Sequence, residues 1–206
     1  YYVDLMQLLG FEKECDWLQY MMPADQGVDD RMKAIADRLM QRYKLKVADF
    51  DKLKKDKETV KKFFRMYNAS FDGMVHNFIP FTDAEIEEEC RQIMSQLNSK
   101  LCCVLMDEDD EVAAFGISTP CLSRAMQKAK GRLLPFGWYH IIKAMRYKFD
   151  ETVEMLLIAV KPEYQGKGVN ALLFCDLIPS YNEAGFKWAE TGPQLETNHK
   201  ELNQWD

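Results

Sequence analysis

Apolar positions along this chain alternate between helical spacing and short strand-like runs. Val3, Leu5, Met6, Leu8 and Leu9 recur at helical spacing until Gly10. Trp17 to Met22 reads as a strand that ends at Pro23. Helical spacing returns across Val28 to Tyr43, at Met32, Ile35, Ala36 and Leu39, and Lys44 to Val47 suits a short strand. Asp51 to Asn68 predicts a charged helix with an apolar face at Leu53, Val60, Phe63, Phe64 and Tyr67. Residues 69–81 form a loop rich in Phe, expected to pack its own aromatics or, alternatively, to cover a pocket. Thr82 with Glu85 three residues on is a capping box, opening a helix to about Leu97.

The second half is richer in strands. Leu101 to Met106 and Glu111 to Thr119 flank the acidic turn Asp107 to Asp110, which predicts a hairpin. Leu122 to Lys130 is helical and Gly131 ends it; Arg132 to Gly137 is a loop, and Trp138 to Tyr147 is a second amphipathic stretch. An apolar strand ends at Val160, and Gln165-Gly166-Lys167-Gly168 leads into an apolar helix. Lys187 to Glu190 is the next strand, and Asn198 opens a polar helix-like stretch. No internal repeat or low-complexity linker interrupts the pattern, so one α/β unit is expected.

Composition narrows the function classes. The 206 residues are 47% hydrophobic, enough for a core, and carry 33 acids against 27 bases. A net charge of −6 argues against nucleic acid as a partner, because phosphate contacts need a basic face. The densest basic cluster, Lys52 to Lys62, is interleaved with Asp51, Asp56 and Glu58 and reads as a solvated helix face. Cys15, Cys90, Cys102, Cys103, Cys121 and Cys175 form no C-x-x-C pair, so buried free thiols are expected, with no disulfide framework and no metal site. Cys102 and Cys103 are adjacent on a strand and must face opposite ways. His76, His140 and His199 are dispersed without ligand spacing. No run reaches transmembrane length and no signal peptide is visible, so a cytoplasmic chain with no membrane partner is expected. Tyr1 is not a natural start, which implies processing or cropping at the N-terminus.

The chemistry concentrates between Thr152 and Asn170. A strand running into a glycine turn and then a helix N-terminus presents unpartnered amides to an anion. Glycine lets the backbone approach without a Cβ in the way. Gly166-Lys167-Gly168-Val169-Asn170-Ala171 lacks the last glycine of a dinucleotide fingerprint, and Lys167 is followed by Gly168 where a P-loop needs Ser or Thr. The expected ligand carries phosphate or pyrophosphate.

Gln165-x-x-Gly168-x-Asn170 after its strand resembles motif A of the GCN5-related N-acetyltransferase (GNAT) superfamily, Gln/Arg-x-x-Gly-x-Gly/Ala. The preceding hairpin, the strand at Lys187 to Glu190 and Asn198, placed as the motif B asparagine, extend the resemblance over residues 100–206. It implies a mixed, mostly antiparallel sheet with a splayed central strand pair, flanked by helices. It implies acetyl-CoA as cosubstrate and transfer of its acetyl group by direct attack of a primary amine, on a small molecule or a peptide. Carried over, the pyrophosphate-binding residues are Gln165, Gly166, Lys167, Gly168, Val169 and Asn170, and Asn198 joins the cofactor-binding set. Ile158, Ala159 and Val160 would pair with the pantetheine arm, with the Val160 N–H near the thioester carbonyl. Glu154 would be the general base; six residues before Val160, it is expected on the same strand face as Ile158 and Val160. Glu190 is a second candidate. A homodimer is common in the family.

Two positions depart from the pattern. Asn170 stands where a small residue is expected, and the position of the family's tyrosine acid, seven beyond Asn198, is Trp205. Tryptophan cannot serve as that acid, which leaves water or another residue such as Tyr181. A second reading therefore stays open: a catalytically silent GNAT-fold module with a CoA-binding, regulatory or interaction role. An unrelated α/β binding domain is a third. Residues 1–22, with a helix running into Leu9-Gly10-Phe11, resemble the closing elements of a GNAT module. They read either as the tail of a preceding module or as a segment completing this sheet, with 23–206 as the acyltransferase-like domain.

Overall fold

The structure is a computed structural model that describes residues 1–72, 78–147, 150–198 and 202. In chain order the elements are α1 (Tyr2–Leu8), β1 (Trp17–Leu18), β2 (Met21–Pro23), α2 (Asp30–Tyr43), β3 (Lys46–Val47), α3 (Phe50–Leu53), α4 (Lys57–Phe71) and α5 (Asp83–Gln96). They continue as β4 (Cys102–Met106), β5 (Val112–Pro120), α6 (Ser123–Lys128), α7 (Gly137–Tyr147), β6 (Thr152–Val160), α8 (Val169–Ala184), β7 (Trp188–Thr191) and β8 (Gln194–Leu195). Six strands form one sheet in the order β2-β7-β6-β5-β4-β3, and β1 pairs with β8. Every neighbouring pair is antiparallel except β6 and β7. This is the mixed, mostly antiparallel α/β architecture expected from the sequence.

The sheet separates two apolar layers. On one face, α2 and α8 cover Cys103, Leu105, Val153 and Met155 with Leu172, Leu173, Leu177 and Tyr181. On the other, α3, α4 and α5 cover Cys102, Val104, Phe115 and Ile117 with Phe50, Phe63, Phe64 and Met94. Cys102 and Cys103 do face opposite ways. Burial pushes the Cys102 thiol up to about 12, which keeps it protonated and unreactive. Cys15 and Cys175 are only half-buried, so the expectation of buried thiols fails for these two.

Local chemistry explains where helices start. Asp49 accepts from the Lys52 N–H and Asp56 from the Thr59 N–H, so the single helix expected over 51–68 is cut into α3 and α4 by two Asp caps. The Thr82–Glu85 capping box forms as expected. On either side of residues 73–77, Phe71, Phe78 and Phe81 pack tilted against Tyr67 with centroids 4.8, 5.7 and 5.6 Å away.

Phe115 and Phe63, both fully buried with centroids 4.2 Å apart, join β5 to α4. Phe115→Ala removes a ring from a site that cannot collapse easily and is expected to cost about 3–5 kcal/mol. Measured by denaturant midpoint, a loss under about 1 kcal/mol would show that this layer does not carry the fold.

Candidate active site

The site grows from β6, which has a different neighbour along each half. Its first half pairs on both sides: with β5, and in parallel with β7 from Thr152↔Trp188 to Met155↔Thr191. There the parallel pairing stops. The Gly192 N–H still donates to the Met155 carbonyl at 2.9 Å. A Cβ on Gly192 would lie 3.3 Å from the Met155 and Leu156 carbonyl oxygens, so this close approach suits glycine. The chain then turns through Pro193 into β8, which pairs with β1 instead. From Leu156 to Val160, β6 keeps only its β5 side, and the sheet opens between β6 and the continuation of β7.

The ladder decides which backbone groups face that opening. The Lys161 N–H donates to the Ala113 carbonyl at 2.9 Å. Hydrogen-bonded and non-bonded pairs alternate in an antiparallel ladder. With the register Val160↔Ala114, Ala159↔Phe115 and Ile158↔Gly116, Ala159 bonds to β5 while Ile158 and Val160 turn their N–H and C=O outward. The Val160 carbonyl accepts from Gln165 Nε2 at 3.0 Å, which leaves its N–H for a ligand. Gly116, opposite Ile158, admits Leu177 of α8: a Cβ there would meet Leu177 Cδ1 at 2.8 Å.

Val160 leads into the turn. Gly166 and Gly168 sit at φ +69° and +79°, the left-handed region that favours glycine. Gly168 caps α8 with no side-chain hydrogen bond. The Gln165 and Lys167 amides bond back to the Pro162 and Tyr164 carbonyls. The amides of Gly166, Gly168 and Val169 have no backbone acceptor among the described residues. Together with the α8 dipole they form a seat for an anion. The Lys167 ammonium lies 5.7 Å from the Tyr43 ring and 6.0 Å from the Tyr164 ring, adding positive charge beside it. These features fit a pyrophosphate-bearing cosubstrate.

At the other end of β6, Glu154 is half-buried between Thr119 of β5 and Glu190 of β7, its register partners. Cys121 lies beside it, and the Cys121 thiol is raised first by burial and then by this carboxyl group. The expected facing of Glu154 is corrected here. The β5–β6 register slips between Ile117 and Ser118, leaving Leu156 as an extra residue in β6. A bulge of one residue inverts the alternation. Val153 and Met155 therefore share a face with Ile158 and Val160, while Glu154 falls on the face of Leu157 and Ala159. The two candidate carboxylates, Glu154 and Glu190, are brought side by side on that face.

No family model matches the sequence. A GCN5-related N-acetyltransferase from Sphaerobacter thermophilus superposes with a TM-score of 0.57 at 10% identity, covering 96% of this chain and 48% of that one. The glucosamine N-acetyltransferase region of a fungal multi-domain β-N-acetylglucosaminidase gives 0.58 at 11% identity, covering 98% and 21%. The fold is GNAT-like. By sequence, the protein YghO of Escherichia coli K12 is 21% identical over 186 residues, 89% of this chain and 46% of YghO. The bacterial ceramide synthase of Caulobacter vibrioides is 27% identical over 88 residues, 43% of this chain and 23% of that protein. The chain thus spans about half the length of YghO, and its match covers about a quarter of the synthase.

Within this GNAT-like frame the sequence-predicted residues separate. Ile158, Val160, Gly166, Gly168 and Val169 line the opening and its turn with unused amides. Gln165 positions Val160, Ala159 belongs to the β5 ladder, and Lys167 flanks the turn. Asn170 begins α8 within its first turn. Asn198 lies beyond β8, where its N–H donates to the Leu195 carbonyl and its carbonyl accepts from Leu202. His76, His199 and Trp205 lie outside the described residues. Gly192 and Thr191 escaped notice in the sequence. Thr191 holds the N-terminal segment, its hydroxyl accepting from the Tyr20 N–H at 2.9 Å; the Gly-Pro step beside it was the available signal.

Tyr181 is removed from the list of acids. It is fully buried, its hydroxyl is 2.5 Å from Ser118 Oγ, and burial raises its pKa beyond any working range. Tyr181→Phe is expected to cost about 1–3 kcal/mol by stranding the Ser118 hydroxyl, with turnover unchanged. A large fall in turnover at unchanged stability would restore its catalytic role.

Proposed function

We propose that this chain is an acyl-CoA-dependent N-acyltransferase that uses direct attack. The observation that carries the reading is the opening between β6 and β7, which starts at Met155 and Gly192 and leads to the glycine turn before α8. An extended thioester arm laid along Ile158 and Val160 meets outward backbone groups, while the diphosphate meets the amides of Gly166, Gly168 and Val169. A primary amine attacks the thioester carbonyl. Its nitrogen forms the C–N bond, the developing oxyanion takes an N–H from Val160 or Ile158, and the C–S bond breaks to release CoA thiolate. The amine's proton passes to Glu154 through a chain of waters, since about 13–20 Å of strand separates Glu154 from the Ile158 and Val160 amides. Solvent water returns a proton to the thiolate.

The resemblance of Gln165-x-x-Gly168-x-Asn170 to motif A favours acetyl-CoA as the donor. The likeness to a ceramide synthase supports a longer acyl chain as well, since a ceramide is the amide of a long-chain amino alcohol. The free thiols are consistent with a reducing, cytoplasmic compartment. Among the described residues, no helix is long and apolar enough to cross a membrane.

The test is CoA release from acetyl-CoA and from a long-chain acyl-CoA, across small amines, peptide amines and long-chain amino alcohols. Amine-dependent release with amide product supports the proposal. Tight binding of acyl-CoA without turnover on any amine would replace it with the silent-module reading.

A further inference from the structure

Residues 112–149 contain seven Lys and Arg and no acid, in a chain whose 33 acids and other 20 bases all lie elsewhere. Most of this stretch is the α6–α7 arm between β5 and β6. Its bases stand outward. Lys130, Arg132, Lys143 and Arg146 are exposed and have no ion-pair partner among the described residues, whereas Arg124 is held by Asp150 at 3.3 Å. The basic cluster at 52–62 is different: Lys54, Lys61 and Lys62 are each paired with a carboxylate.

The tip of the arm is apolar. Leu133, Leu134 and Phe136 are 63%, 78% and 74% exposed, and Met126, Trp138 and Tyr139 follow on its flanks. The loop is also fixed in shape. Trp138 Nε1 donates to the Pro135 carbonyl at 2.9 Å, and the Trp138 N–H to the Leu133 carbonyl at 2.9 Å. Gly137 packs so tightly that a Cβ would stand 1.6 Å from the Arg132 carbonyl oxygen. A rigid loop thus presents three large apolar side chains beside the unpaired Lys130 and Arg132, with Lys143 and Arg146 further along α7. Cations alone would suit any polyanion. The projecting Leu and Phe side chains gain only where they leave water for an apolar phase.

We infer that the α6–α7 arm is a docking surface for an anionic lipid bilayer, with Leu133, Leu134 and Phe136 entering the headgroup–acyl boundary and Lys130, Arg132, Lys143 and Arg146 facing the lipid charge. The lack of a spanning helix does not bear on surface binding of this kind. The arm also hangs from the Thr119 and Glu154 end of the sheet, opposite the glycine turn. On the acyl-transfer reading, on which this point alone rests, the amine arrives from the bilayer side.

Vesicle flotation of the full chain tests the docking without any need for activity. Binding to phosphatidylcholine/phosphatidylglycerol vesicles is expected, with little to phosphatidylcholine alone and less as salt rises. Each basic residue near such a surface contributes on the order of fivefold in affinity. Lys130→Glu with Arg132→Glu, and separately Leu134→Ser with Phe136→Ser, should each weaken binding by at least about tenfold at unchanged melting temperature. No flotation with anionic vesicles would overturn the inference. So would flotation that is indifferent to the Leu134/Phe136 pair, or equal retention by heparin that ignores those two side chains.

Discussion

Replacing Gly168 with glutamate is expected to abolish stabilisation by acyl-CoA. A ligand held only by the folded chain, at about 100 times its dissociation constant, adds about 2.7 kcal/mol. Gly168 stands at φ +79°, and its Cβ would meet Leu39 Cδ1 at 3.3 Å. The backbone penalty for a residue with a Cβ is about 1–2 kcal/mol, which lowers the unliganded melting temperature by several degrees without unfolding a domain of this size. The new carboxylate then lies at the proposed diphosphate seat, against the amides of Gly168 and Val169. Gly168→Ala separates the two effects: it carries the same strain without the charge, and should retain part of the ligand-induced rise. Melting curves with and without saturating acetyl-CoA or a long-chain acyl-CoA decide the matter. A full ligand-induced rise in Gly168→Glu would place the diphosphate elsewhere.

The second large effect is expected at Glu154. Glu154→Gln keeps the shape and removes the proposed base, so kcat should fall by about 10²–10⁴, with the acyl-CoA-induced rise in melting temperature intact. Glu190 is its register partner on β7 and faces the same way, so Glu190→Gln belongs in the same experiment. A fall with Glu190→Gln alone would transfer the role across the strand pair. Turnover of Glu154→Gln within twofold of the unmodified chain would take Glu154 out of the mechanism.

Much of the architecture was legible because its signals are local. The hairpin around Asp107 to Asp110, the box at Thr82 and Glu85, and the strand–turn–helix from Thr152 onward each depend on residues within a few positions of one another. What escaped depends on pairing. The extra residue at Leu156 is a property of two strands in register. Within β6 alone, the unbroken apolar run Met155 to Val160 hides the phase change. The facing of Glu154 was misread for that reason. Nothing in the local sequence shows where Tyr181 points; the β5 hydroxyl at Ser118 does. The break between α3 and α4 was readable, since Asp56 with Thr59 is a cap signature within a charged run. The acid-free arm went unnoticed because its signal is a missing residue type, and net charge averages it away.

The N-terminal segment bears on how the chain reaches this fold. Met21 to Pro23 pairs with β7, and Tyr20 with Thr191, 171 positions further on. Contacts of such sequence separation carry a large loop-closure cost and form late. During synthesis these strands emerge well before their partners on β7. Until then the segment lacks its native partner, and Trp17 and Met21 stay exposed even in the finished fold. Closing the sheet edge is then a late step of folding, and an edge left open until that point is where two unfinished copies would pair with each other.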